Sequence, residues 1–217
     1  MSRPKLPRKS TSIDMTAMCD VAFLLLSFFI LTTKFKASEA IQVTTPNSVA
    51  SKVAPDKDFV LVTIDKDGKV FLSMDDESKK EAIATALNSS RNLGIDVNAF
   101  KKSAFFGTSF SQLPQFLALP EDKRKGNLLP GIPCKDSTNN EMIEWMRLVY
   151  NAYQGSQMKA LMLKGDNDSK FPAFKNVIDA FKKNDFLKFQ MVTNPETVPN
   201  GSDLWKFNQA PVAKKAE

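Results

Sequence analysis

The chain has 217 residues, long enough for a buried core, and its 42% apolar and 25% charged composition is that of a folded protein. It has no histidine and two cysteines, which excludes Ser-His and Cys-His catalysis, the usual zinc sites and a disulfide framework. Of the net charge of +6, Arg3, Lys5, Arg8 and Lys9 supply +4 in residues 1–12, leaving 26 bases against 24 acids elsewhere; a nucleic-acid binder would keep its excess on the folded part, so no nucleic acid is expected.

Residues 1–14 read as a polar, proline-broken tail. Residues 15–33, between Asp14 and Lys34, form an apolar run whose one charged residue is Asp20. As a helix the run spans about 28 Å, close to the thickness of a bilayer's hydrocarbon layer. No comparable run follows, so one transmembrane helix is expected, and the basic tail places the N-terminus in the cytoplasm. A cleaved signal peptide would share the basic start and the small residues near Ala37–Ala40. Against it, Asp20 abuts the apolar stretch, and Lys34 and Lys36 precede any cleavage site. A buried core helix would be apolar on one side, whereas this run is apolar all round.

Asp20 is the informative residue, because an ionised carboxylate within a span costs about 3 kcal/mol and usually faces a protein partner or a water path. At about 100° per residue, Thr16 and Ser27 fall about 40° and 20° to the same side of Asp20. Leu24 and Leu31 complete that stripe, while Ala22, Leu25 and Phe29 lie opposite and suit lipid. Thr16 and Ser27 are the candidate pore-lining or hydrogen-bonding partners. The alternative is a structural Asp20 near the bilayer edge, snorkelling partway to water.

Residues 34–57 read as a linker, with a short strand at 41–43. A hairpin follows, with strands at 58–64 and 69–73 around the turn Asp65-Lys-Asp-Gly68. Helices are expected over 77–87, over 97–106 with Asp96 as cap, and over 113–119 with an interruption at Pro114. A polar loop spans 121–134. Thr138-x-x-Glu141 has the capping-box spacing and opens a helix to about Tyr153. The spacing then predicts a strand over 159–164, a helix over 171–184 with Pro172 in its first turn, and a strand over 187–192. The tail 194–217 reads as loose, anchored by Trp205 and Phe207. This order predicts an α+β domain over 58–193 with one mixed sheet and helices on one face.

Motifs of common chemistry are missing. Gly126 and Gly131 have the P-loop gap, but Ile132 and Pro133 follow in place of Lys and Ser/Thr. Gly165-Asp-Asn-Asp168 lacks the closing glutamate of a calcium loop and reads as a turn. Asp75-Asp76-Glu77 reads as a helix start. Cys134 reads as a free buried thiol, an intermolecular disulfide being the other option. No catalytic residue, metal or cofactor is expected, and the chain reads as a non-enzyme.

The opening Ile13-Asp-Met-Thr-Ala-Met-Cys-Asp20, followed by Val21–Phe29, resembles the ExbD/TolR family of biopolymer-transport proteins, with its basic tail, I-[DN]-[MV]-T-P-x-x-D opening and Leu/Phe span. Ile41-Gln-Val-Thr-Thr-Pro46 resembles the family's short strand ending in proline. Leu161-Met-Leu-Lys-Gly-Asp166, Phe171–Phe181 and Phe189-Gln-Met-Val-Thr193 resemble its strand, Asp-containing turn, helix and last strand. With the hairpin, these segments cover roughly two-thirds of the chain. Ala17 stands where the family has proline, and residues 92–155 are an insertion relative to its compact members, a layout similar to a larger-domain branch.

The resemblance implies a homodimer whose helices pass through a ring of multi-span ExbB/TolQ-like subunits in the inner membrane, with the C-terminal domain in the periplasm. It implies that Asp20 takes up and releases protons, and that the motion drives a TonB- or TolA-like protein. A membrane-tethered binding or scaffolding domain with a structural Asp20 is the competing reading.

Overall fold

The structure, a computed structural model, describes residues 15–32, 41–49, 54–55, 57–120, 123–124, 126–135, 140–156, 158–203 and 205–206. The tail 1–14, the segment 33–40, Thr138 and Phe207 lie outside the described residues. The chain divides into two compact units, Met1–Ser38 and Glu39–Glu217. Among the described residues the first contains one helix, α1 (Met15–Thr32), which has no buried residue. It is long and apolar enough to cross a membrane.

The second unit is a mixed α+β domain, as expected. Its sheet has the order β3-β2-β4-β5, formed by β2 (Phe59–Ile64), β3 (Val70–Met74), β4 (Ala160–Gly165) and β5 (Gln190–Val192). The hairpin β2–β3 is antiparallel, and β4 and β5 join parallel to it. Alternation puts Val60, Val62 and Ile64 on one face, in register with Met74, Leu72 and Val70 and with Leu161 and Leu163. These side chains share one core with α2 (Glu77–Arg91), α3 (Val97–Lys102), α5 (Glu141–Ala152) and α6 (Phe171–Lys183), through Ile83, Leu87, Phe100, Trp145, Val177 and Phe181.

Helix boundaries follow their caps. Asp76 accepts hydrogen bonds from the backbone N–H of Ser78 and Lys79 and starts α2. Asp75 does not belong to that start: its carboxylate accepts the N–H of Asp58 and Phe59 and fastens the entry to β2. Pro114 sits in the first turn of α4 (Leu113–Ala118), where its missing N–H costs nothing, so it opens that helix rather than interrupting it. Glu141 is the first residue of α5 after Asn140, not its third turn-closing partner, and its carboxylate accepts the N–H of Phe110.

Three further expectations are corrected. The helix expected over 97–106 stops at Lys102, because Lys80 donates to the carbonyls of Lys101 and Ser103 at 3.3 and 3.0 Å and Phe106 is drawn to the sheet. Phe106 exchanges both backbone hydrogen bonds with Leu72, and the N–H of Ile132 bonds the carbonyl of Val70, so the inserted segment lines the outer edge of β3. Gly107 is required there, since a Cβ would lie 2.2 Å from the Phe71 ring. The short strand expected at 41–43 is found instead at β1 (Asn47–Ser48), and its parallel partner is β6 (Asn194–Pro195), at the start of the expected loose tail.

The insertion is held by aromatic contacts. Phe110 and Phe106 stack on Trp145 at 4.9 and 5.4 Å, and Arg91 lies over the Phe110 ring, 4.6 Å from its centre. Arg91 also pairs with Glu144, linking α2 to α5.

Candidate functional site

α1 runs unbroken from Met15 to Thr32, so Thr16, Asp20 and Ser27 share one continuous helix. Helical rise places Thr16 about 6 Å below Asp20 and Ser27 about 10 Å above it on the same side. No proline bends the helix at Ala17. The Ser27 hydroxyl donates to the carbonyl of Leu24 at 2.9 Å, which satisfies its donor within the helix and leaves its oxygen able to accept. Thr32 likewise donates to Phe28 at 2.8 Å. Asp20 is exposed among side chains that are themselves exposed, Phe23 at 67% and Leu24 at 58%.

A chain of contacts in the other unit involves residues whose sequence pattern shows only a turn and a tail. Asp166, directly after β4, accepts the N–H of Thr44 at 3.0 Å and of Asp168 at 2.9 Å. Those two backbone donors hold its carboxyl below the usual carboxylate value. Asn194 accepts from the Thr45 hydroxyl at 2.8 Å and donates to the Thr45 carbonyl at 3.0 Å. The signal available in sequence was the Asp-Asn-Asp turn; the pairing across 122 and 149 residues leaves no local trace.

At the opposite end of the sheet, β5 is a terminal strand, and among the described residues nothing pairs with its outer edge. Beside it an open groove of about 790 Å³ is walled by Tyr150, Met158, Leu161, Phe186 and Phe189, with Lys188 at its lining. Unpaired strand edges of this kind can accept an extended chain. Cys134 is half-buried and desolvation pushes its thiol up to about 12, which makes it unreactive.

An exposed apolar helix long enough to cross a membrane, carrying one carboxylate and followed by a mixed α+β domain, defines the class of protein. The sequence profile described as "Biopolymer transport protein ExbD/TolR" matches residues 7–196, and the chain belongs to the ExbD/TolR family. It is similar to the biopolymer transport protein ExbD of Aquifex aeolicus (strain VF5), with 25% identity over 96 residues, covering 44% of this chain and 73% of that protein. No solved structure gives a significant match. The family is membrane-anchored and serves the energisation of biopolymer transport, in partnership with ExbB/TolQ-type and TonB/TolA-type proteins.

Proposed function

We propose that this chain is a proton-motive-force-coupled motor subunit of the inner membrane, working with a multi-span ExbB/TolQ-like protein to energise a TonB- or TolA-like protein. The observation that carries the reading is Asp20, the one charged residue in the 18-residue apolar helix. Neutral Asp20 suits an apolar wall, while its anion requires water or a polar partner, so proton uptake and release exchange two surroundings of the helix. One charge crossing the field supplies about 2.3 kcal/mol per 100 mV. Thr16 and Ser27, on the Asp20 side, serve as hydrogen-bond partners and not as proton carriers, since hydroxyls do not titrate near neutrality.

Residues 1–14 are cytoplasmic, 15–33 span the membrane, and the domain is periplasmic; four bases before the span against Lys34 and Lys36 after it support that orientation. Among the described residues of its unit no second helix covers the Asp20 stripe, which supports a homodimer inside the multi-span ring. The free edge of β5 is the place we assign to the TonB- or TolA-like partner.

The test is co-purification with a multi-span partner in mild detergent, then reconstitution into liposomes. Proton flux through the complex should vanish with Asp20→Asn, which keeps size and hydrogen bonding but carries no proton, while the complex still assembles. Equal flux from the Asn variant would refute the proton-carrier role and leave a tethered scaffolding domain.

A further inference from the structure

Residues 41–49, which follow the membrane helix in the chain, are seated on the domain by contacts that a passive linker does not need. Ile41 and Thr45 are 8% and 7% exposed, and Ile41 belongs to the core. Thr44 is gripped twice: its N–H donates to Asp166 Oδ2, and its carbonyl accepts the N–H of Asn167 at 2.8 Å. The second oxygen of Asp166 is fixed by the N–H of Asp168, so the turn itself aims the carboxylate. Asn194 uses both ends of its amide on Thr45, a role that neither Asp nor Leu can fill, since it needs one donor and one acceptor. The N–H of Asn194 and of Glu196 then bond the carbonyls of Pro46 and Ser48, both at 2.9 Å, and β1 lies parallel to β6.

We infer that residues 41–49 are a strap that carries tension and passes displacement of the membrane helix into the sheet, with Asp166 and Asn194 as the positioning residues that fasten it. The inference rests on the motor reading above. Asp166 directly follows β4, the strand bonded to both β2 and β5, and Asn194 lies two residues beyond the end of β5. Tension arriving along the chain from residues 33–40 therefore meets the ends of two adjacent parallel strands. The contacts come in the order 41, 44, 45, 46, 48, so the core-seated Ile41 and the Asp166 grip take tension before the β1–β6 pair.

The experiment uses the full chain with its multi-span partner in right-side-out vesicles, read by hydrogen exchange with the membrane energised or collapsed by a protonophore. In the wild type, energisation should change exchange in both 41–49 and 160–167. Asp166→Ala with Asn194→Ala should speed exchange of the amides of residues 44, 167, 194 and 196 by about tenfold. It should also confine the energy-dependent change to 41–49. Asp166→Asn, which keeps one acceptor oxygen, should restore part of the transmission. Three results overturn the strap: unchanged exchange at those four amides, an undiminished response at 160–167 once they are freed, or no wild-type response while Asp20-dependent flux is present. Absence of both flux and response sinks the motor reading itself. Should the double variant also loosen β2 and β4, Asn194→Ala alone is held to the same outcomes, read at the amides of residues 194 and 196.

Discussion

The two units of this chain use apolar residues in opposite ways. In α1 the large side chains are exposed, up to 85% at Leu31, and none is buried. In the domain, Trp145, Phe71, Phe100 and Phe106 have no exposure at all. The domain therefore carries its stability within its own fold, while α1 is stabilised by whatever surrounds it, lipid or other chains. A substitution in α1 should be read in flux or assembly, and one in the domain core should be read in unfolding.

That contrast can be broken in four ways. The largest effect is Asp20→Asn: complete loss of proton flux with the domain's melting temperature unchanged. A melting shift of several degrees would show that the units are energetically linked. Next comes Trp145→Ala, which removes the ring that Phe100, Phe106 and Phe110 all stack upon. It should cost about 3–5 kcal/mol in denaturant unfolding followed by circular dichroism. A cost below 1 kcal/mol would mean that the insertion packs independently of the core. Ser27→Ala and Thr16→Ala should each lower flux only partially, by less than about tenfold, since each removes one hydroxyl contact worth about 1 kcal/mol. Loss equal to that of Asp20→Asn would move the centre of the stripe.

The smallest effect concerns acid. The backbone donors of Asp168 and Thr44 hold Asp166 below its ordinary value of 3.8, helped by Lys66, while Asp65, Asp67 and Lys69 line the same hollow. A depressed carboxyl stabilises the fold above its unfolded value and loses that contribution as pH falls through its folded value. Amides at 44 and 168 should thus lose protection below about pH 4, ahead of β2 and β4. Protection that is flat with pH in this window would remove the carboxylate from the clasp.

Elements with their own periodicity were legible in the sequence. The apolar run gave α1 to within a residue, alternation gave β2 and β3 around Asp65–Gly68, and Pro172 marked the first turn of α6. What escaped was set by distant partners. Phe105 and Phe106 continue the pattern of α3, yet Lys80 takes the carbonyls that would extend the helix, and Leu72 claims the backbone of Phe106. The β1–β6 pair joins residues 47 and 194, too far apart for any local spacing to predict. Of the candidate site, the unbroken helix that carries Thr16, Asp20 and Ser27 was readable from the apolar run. Asp166 was visible only as part of a turn, because its second partner, Thr44, is contributed from across the fold.

The insertion's grip on β3 has a consequence for how such domains can combine. With Phe106 and Ile132 occupying the backbone of Leu72 and Val70, the sheet is capped at one side, and among the described residues only β5 remains uncapped. Through this sheet a strand could be added at β5 but not beyond β3, so no open-ended stack of domains can grow across it. The extra residues act as a stopper on the β3 side of the sheet.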